Sequence, residues 1–250
     1  MKHFVFCDLD NTIIRHQSRV AQTEINPVVG VNEFGLSSTV MTKADTDLYK
    51  QALEFGEIIP TTGRSMAEYQ RLHALIPSFQ SWAVLNHGAT LLYQNQVDQL
   101  WLKRITSAIQ PMIATTLQIY QMLLSELDLS QQKIRLHQEH SLPLYISVRC
   151  PRDQDYSAIQ NLLESLLQSL KLNVQYSLLH TGRISSILPN GINKKDAVLE
   201  VMNRLKQSSK ITTLGIGDSL TDLPFMQLCD QMRYPSDSEI ALMIQTRGAG

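Results

Sequence analysis

The chain has few cysteines, no excess of charge of either sign and no long apolar run, and each shortage removes a class of proteins. Only Cys7, Cys150 and Cys229 occur in 250 residues, far apart and with no CxxC pair. That pattern argues against a disulfide framework and fits a reducing compartment, each thiol reading as a small buried side chain. Lysine and arginine number 22 against 23 aspartates and glutamates, for a net charge of -1 and a pI near 6.6. No basic excess therefore marks out nucleic acid or an anionic membrane as a partner, and any bound anion must be recognised locally. No window approaches the roughly 20 apolar residues of a spanning helix. The opening MKHFVFCDLDN reaches an aspartate too soon for the apolar region of a signal peptide. The expectation is a cytoplasmic protein with no membrane segment. There is no HExxH either, so His137 and His140, in a strand-and-turn context, do not read as a zinc site.

What is present is a 43% apolar chain, enough for one sizeable core and a smaller second module. Phe4-Val5-Phe6-Cys7 is a continuous apolar run, the pattern of a strand covered on both faces in a parallel sheet. A second run, Phe55 to Ile59, ends in Pro60-Thr61-Thr62-Gly63-Arg64 and enters a helical pattern at Met66, Tyr69, Leu72 and Leu75. A third, Ile211 to Ile216, ends in Gly217-Asp218-Ser219 ahead of a helical stretch from Leu223 to Leu228. Strands that finish in polar or glycine-containing loops and pass into helices predict an α/β fold, a Rossmann-like doubly wound parallel sheet. Ligands in such sheets bind at the carboxyl ends of the strands.

The middle of the chain predicts something else. Apolar residues recur at helical spacing from Ala108 to Leu127, with Pro111 in the first turn. Strand-like runs come next, over Lys133 to Gln138 and Leu142 to Cys150. They lead into a helix through Tyr156, Ile159, Leu163, Leu167 and Leu170, with Asp153 as N-cap. Two more runs, Leu172 to Leu179 and Arg183 to Leu188, flank a turn at His180-Thr181-Gly182. The order αββαββ predicts an inserted α+β domain over residues 104–188, with 1–103 and 189–250 forming the α/β core.

Four separated segments carry chemistry. Asp8-Leu9-Asp10-Asn11-Thr12 sets two carboxylates at a strand end, although a lone DxD is also ordinary on an exposed turn. Thr61-Thr62-Gly63-Arg64 offers a hydroxyl and free N–H groups at a helix start, an anion site or simply a helix cap. Gly191-Ile192-Asn193-Lys194-Lys195-Asp196 puts lysines in a first helical turn, where they oppose the helix dipole; they are either solvated or paired with an anion. Gly217-Asp218-Ser219-Leu220-Thr221-Asp222 again gathers carboxylates, whose like charges call for a cation.

In this order the four resemble the motifs of the haloacid dehalogenase superfamily of phosphohydrolases: DxDxT, a Ser or Thr, a Lys, and GDxxxD. The inserted αββαββ module and the run from Arg183 to Lys194 are similar to its Cof-type and sucrose-phosphatase-like branch with a type-2 (C2B) cap. Asn86-His87-Gly88-Ala89 is similar to the NGA segment that precedes such caps, interrupted by His87. The resemblance implies a magnesium-dependent phosphatase acting on a small phosphorylated metabolite, most simply a sugar phosphate, through an aspartyl phosphate. It implies Asp8 as nucleophile and Asp10 as general acid and base, the latter protonated for part of the cycle. Thr62, Gly63 and Lys194 would hold phosphate oxygens, with Lys195 the alternative to Lys194. The Asp8 side chain, the Asp10 carbonyl, Asp218 and Asp222 would hold Mg2+. Position 221 is Thr where this branch carries Asn. A phosphomutase of the same superfamily and a noncatalytic binding module are the alternatives, and oligomeric state is open.

Alternation in the cap strands separates Ile134, Leu136, Leu144, Ile146, Val148, Ile184 and Leu188, expected on the cap helices, from Lys133, Arg135, His137, Tyr145, Ser147, Arg149, Arg183 and Ser185. Within the polar set Arg149 and Arg183 are the candidates for contacting a substrate, or else belong to a solvated face. Residues 24–42 read as a flap beside the site or as a surface hairpin.

Overall fold

The computed structural model describes residues 1–21, 26–151 and 156–248. They form two compact units, one of two stretches, Met1–Asp98 and Asn193–Gly250, and one of a continuous stretch, Gln99–Ile192. Among the described residues no helix is long and apolar enough to cross a membrane.

The first unit is an α/β layer structure on four parallel strands in the order Gln231–Arg233, Ile211–Ile216, Lys2–Cys7, Glu57–Pro60. Phe4, Val5, Phe6 and Cys7 are all buried, as are Ile58, Ile59, Leu214 and Ile216. This is why the apolar run is continuous rather than alternating. Register sets where the strands end. Cys7 is level with Ile216 on one side and with Pro60 on the other. Asp8, Gly217 and Thr61 therefore emerge together at one edge of the sheet. A single parallel bridge from Thr61 to Val84 extends the layer into an antiparallel piece, Trp82–Leu85, Thr90–Tyr93 and Gln96–Val97.

Local sequence explains the supporting helices and corrects two expectations. The strand expected from Phe55 begins at Glu57, because Phe55 closes a helix, Lys43–Phe55, that the apolar pattern did not suggest. That helix has a full capping box, Thr42 with Asp45, and Asp45 also pairs with Arg15 at 3.1 Å. Gly56 separates helix from strand where a Cβ would stand 2.2 Å from the His3 carbonyl oxygen. The periodic residues from Met66 onward form only a short helix, Met66–Gln70, and then successive tight turns ending at Ile76–Ser78. Tyr69, Leu72 and Leu75 still reach the core, because each turn returns the chain to the same side. Of residues 24–42, the described part is a hairpin, Val28–Val31 with Ser37–Val40, joined by Arg15–His16.

The second unit is an antiparallel sheet in the order Tyr176–Thr181, Ile184–Pro189, Leu142–Arg149, Lys133–Glu139. Helices Ile113–Glu126 and Tyr156–Ser169 lie on one face through Ile119, Leu123, Ile159, Leu163 and Leu167. An additional helix, Gln99–Ile109, precedes them. Pro111 sits in the 3-10 turn Gln110–Met112 between the two helices rather than in the first turn of one long helix. Its missing N–H suits a point where the helical ladder is interrupted. The Asp153 cap lies outside the described residues. The hairpin turn is Gly182-Arg183, with Gly182 at a φ of 56°, so Arg183 belongs to the turn and not to a strand face.

The expected facing of one strand is reversed. Ile146 pairs with Ile187, Val148 with Ser185 and Arg149 with Ile184. Directly opposed residues share a face, so Ile187 and Ser185 point to the helices, while Ile184 and Leu188 share the side of Ser147 and Arg149. The run Ile-Ser-Ser-Ile-Leu has no clean period of two, so alternation alone could not fix its phase. Ile187→Ala is expected to cost about 2–5 kcal/mol, as for a filled core position, and Ile184→Ala clearly less. Urea denaturation of the two variants checks this; equal costs would contradict the observed register.

Candidate active site

Each functional side chain at the sheet edge is placed by its own local device. Asp8 comes directly after the last residue of strand Lys2–Cys7, its N–H donating to the Ile216 carbonyl at 2.8 Å. Gly217 comes after Ile216 and lets the chain fold closely over Asp222, whose Cβ would lie 2.5 Å from a Cβ at position 217. Asp222 is then fixed by Ser219, whose N–H and Oγ donate to Oδ2 at 3.2 and 3.0 Å. Thr221 takes part through its hydroxyl, 2.6 Å from Ser219 Oγ, so the position expected to differ from the related pattern is still tied into the support of Asp222.

Lys194 is delivered by a helix start. Asn193 caps Lys194–Ser208, accepting from the Asp196 N–H at 2.8 Å. The Lys194 Nζ donates to Asp8 Oδ1 at 2.6 Å and to Asp222 Oδ1 at 2.7 Å, with its side chain only 11% exposed. Lys195, its neighbour, points outward and is exposed. Thr12 completes the group by contacting both Asp8 Oδ2 and Asp218 Oδ1 at 3.1 Å. Asp8, Asp218 and Asp222 can each bring a carboxylate oxygen within 4.8 Å of the other two.

Asp10 and Thr62 stand beside this group. The Arg64 guanidinium grips Asp10 with two parallel bonds of 2.7 Å, so the Asp10 side chain is turned to Arg64. Thr62 is buried at the end of strand Glu57–Pro60, its N–H donating to the Val84 carbonyl and its Oγ1 accepting from the Arg64 N–H at 3.2 Å. Gly63 lies under the His87 ring, where a Cβ would be 2.4 Å from Cε1.

No protein-family model matches the chain, and no curated protein matches it in sequence. Structural likeness is plain. Sucrose-phosphatase from Synechocystis, in complex with sucrose and phosphate, aligns with 100% of this chain and 98% of its own at 15% identity and a TM-score of 0.58. A trehalose-6-phosphate phosphatase related protein aligns over 98% of both chains at 15% identity and a TM-score of 0.54. The C-terminal domain of C. albicans trehalose-6-phosphate phosphatase aligns over 90% of this chain and 73% of its own, at 12% identity and a TM-score of 0.56. The chain has the haloacid dehalogenase-type fold.

Within that fold the edge gathers buried acidic groups whose charges are perturbed. Burial and the neighbouring carboxylates push the Asp8 pKa well up, against the pull of Lys194. Burial, with Asp222 beside it, raises Asp218 to about 6, against Lys194 and the Thr12 hydroxyl. Lys194 is desolvated too, but Asp222 and Asp8 more than compensate and keep it protonated. With all three ionised, the carboxylates facing one ammonium would leave two negative charges unmatched, and their donors are all hard oxygens. That donor set fits a hard divalent cation. Asp10 differs. The surrounding protein disfavours its charge, yet the Arg64 guanidinium outweighs this and holds the pKa below the usual carboxylate range.

The haloacid dehalogenase-type fold thus brings Asp8, Asp218, Asp222, Lys194, Asp10, Thr62 and Gly63 to one edge of the first unit. Arg149 and Arg183 lie in the second unit, Arg183 donating to the Cys150 carbonyl at 3.4 Å from its turn. Sequence reasoning assigned no role to Arg64, Thr12, Ser219 or Asn193. Arg64 and Thr12 lie inside the motif segments, so a charged residue next to an anion loop and a hydroxyl four residues after Asp8 were the available signals. Nothing in the sequence shows that they meet Asp10 and Asp218.

A proton on Asp218 favours the folded state, because its folded pKa is above the unfolded one. This contribution is full below about pH 4 and lost as pH rises through about 6. A divalent cation should reverse that loss. Excess Mg2+ or Ca2+ is expected to raise Tm by several degrees at pH 7.5, from the binding free energy and a sensitivity of about 2–4 °C per kcal/mol, and by less at pH 5. Asp218→Asn should raise the metal-free Tm and shrink the cation effect. Calorimetric scans showing the same rise in both proteins would exclude Asp218 as a ligand.

Proposed function

We propose that the protein is a magnesium-dependent phosphatase that hydrolyses a small phosphorylated metabolite, most simply a sugar phosphate, through an aspartyl phosphate on Asp8. The single observation that carries the reading is the Asp8 carboxylate at a strand end, held between the Lys194 ammonium and Thr12 and facing Asp218 and Asp222. The likeness to a sucrose-phosphatase and to trehalose-6-phosphate phosphatases supports phosphoester hydrolysis and a sugar phosphate as substrate class.

Asp8, Asp218, Asp222 and the Asp10 carbonyl would hold Mg2+. The ion would supply positive charge that offsets the repulsion between the anionic carboxylate and the anionic phosphate. Lys194 and the Thr62 hydroxyl, with the N–H groups at Gly63, would hold the remaining phosphate oxygens. An Asp8 oxygen attacks phosphorus, the phosphorus–ester oxygen bond breaks, and the leaving oxygen takes a proton from Asp10. Water then attacks the acyl phosphate while Asp10 takes its proton, which frees phosphate and restores both carboxyl groups. The Arg64 pair favours the ionised Asp10 needed for the second half. The first half requires that pair to loosen so that Asp10 can carry a proton.

The second unit is the proposed source of selectivity. The face opposite its helices carries Lys133, Arg135, His137, Tyr145, Ser147 and Arg149, with His137 stacked on Tyr145 at 4.1 Å and bonded to Ser147 Oγ at 2.8 Å. Tyr145 is buried, so the groups suited to a polyhydroxylated ligand are His137 with the exposed Arg135 and Arg149.

Release of inorganic phosphate from p-nitrophenyl phosphate with Mg2+ tests the reading. Asp8→Asn should lower kcat by at least about a thousandfold, as expected when a nucleophile is removed. Its metal-free Tm should equal or exceed the wild-type value, because Asp8 is a buried carboxylate among carboxylates. Equal turnover by both proteins would end the proposal. A sugar phosphate that is isomerised without phosphate release would point to a phosphomutase.

A further inference from the structure

Asn86, His87 and Gly88 stand in a left-handed conformation one after another, with φ of 51°, 55° and 100°. Consecutive non-glycine residues at positive φ also occur in the turns at Gln94-Asn95 and His140-Ser141, so what sets Asn86 to Gly88 apart is what the turn touches. The surroundings are the two elements that carry Thr62 and Lys194. On one side the Asn86 N–H donates to the Arg64 carbonyl at 2.8 Å and the His87 N–H to the Thr62 carbonyl at 3.1 Å. The three atoms nearest to a Cβ built on Gly63 all belong to the His87 ring, at 2.4, 2.6 and 3.0 Å. On the other side a Cβ on Gly88 would come within 2.2 Å of the Asn193 carbonyl oxygen and 3.1 Å of the Lys194 nitrogen. The turn fills the space between the two elements without slack.

We propose that His87 is a positioning residue for phosphate binding: its ring, laid on Gly63, and the turn around it keep the Thr62 loop and the Lys194 helix start in register. The inference rests on the phosphatase reading, because it is the phosphate pocket of that site that His87 would set. Histidine suits the place on two counts. It is among the non-glycine residues that accept the left-handed region, and a flat ring can lie against a residue that has no Cβ. Asp8 and Asp222 also bond Lys194, but strand register and Ser219 hold their backbones, so the carboxylates keep their places without the ring. Loss of the ring should therefore loosen ground-state phosphate binding and leave the cation site and the chemical step nearly intact.

A double-mutant cycle over wild type, H87N, G63A and H87N/G63A tests this with p-nitrophenyl phosphate, inorganic phosphate as inhibitor and a Mg2+ titration. Asparagine removes the ring and still tolerates the left-handed backbone. H87N should raise KM and the phosphate inhibition constant about tenfold, with kcat changed less than about threefold and Mg2+ half-saturation unmoved, the pattern of lost ground-state binding. G63A should do the same by displacing the ring. In the H87N background the G63A change should add less than about twofold, since the clash is gone. If H87N folds poorly by Tm, H87G takes its place, since it removes the ring and meets no steric cost in the left-handed region. Additive effects, unchanged KM in a folded variant, or a shifted Mg2+ requirement would overturn the inference. A wild-type protein that releases no phosphate would fell the phosphatase reading itself, whereas an active wild type with H87N indistinguishable from it fells only the role of His87.

Discussion

Three carboxylates brought to one end of a parallel sheet repel one another, and much of the first unit serves to tolerate that repulsion. The register between Lys2–Cys7 and its two neighbours makes the convergence unavoidable, since Cys7, Pro60 and Ile216 are level and the residues after them must emerge together. Burial makes the repulsion stronger by lowering the local dielectric response. Lys194 relieves part of it by bridging Asp8 and Asp222, and Thr12 donates a hydroxyl toward Asp8 and Asp218. The uncompensated remainder is what a bound cation would offset.

The same logic explains why the supports are rigid. A lysine bridges two carboxylates best when its backbone is fixed, and Asn193 fixes it by capping the helix that Lys194 begins. Asp222 is held by Ser219 through two donors, and Gly217 leaves room for that turn. Unsatisfied carboxylate oxygens in such a place would be costly, so their partners are part of the site and not its decoration.

Asp10 is the point of tension. Its two bonds to Arg64 hold it ionised, whereas the proposed reaction asks it to give a proton to a leaving group. A pair that favours one protonation state in the unliganded protein and must yield when a charged substrate enters gives the site two settings. In the proposed reaction Arg64 would act through Asp10, which it grips from the end of the threonine loop.

The α/β class, the antiparallel module in the middle and the four segments at strand or helix ends were legible from the chain, because each rests on local periodicity or on turn residues. The burial of Phe4 to Cys7 and the helix through Ile159, Leu163 and Leu167 are of that kind. The phase of Ile184 to Leu188 was not legible, since two adjacent serines erase the alternation and the partner strand sets the face. Nor was Pro111 at a junction between helices, where packing decides whether the chain bends. Residue types and their order determined which groups could do chemistry, as properties of the side chains themselves. Tertiary structure alone decided which of them meet, that Lys194 and not Lys195 turns inward, that Arg64 takes Asp10, and that His87 lies on Gly63. The physical reason is that these contacts join residues far apart in the chain, and only strand register and helix placement bring them within bonding distance.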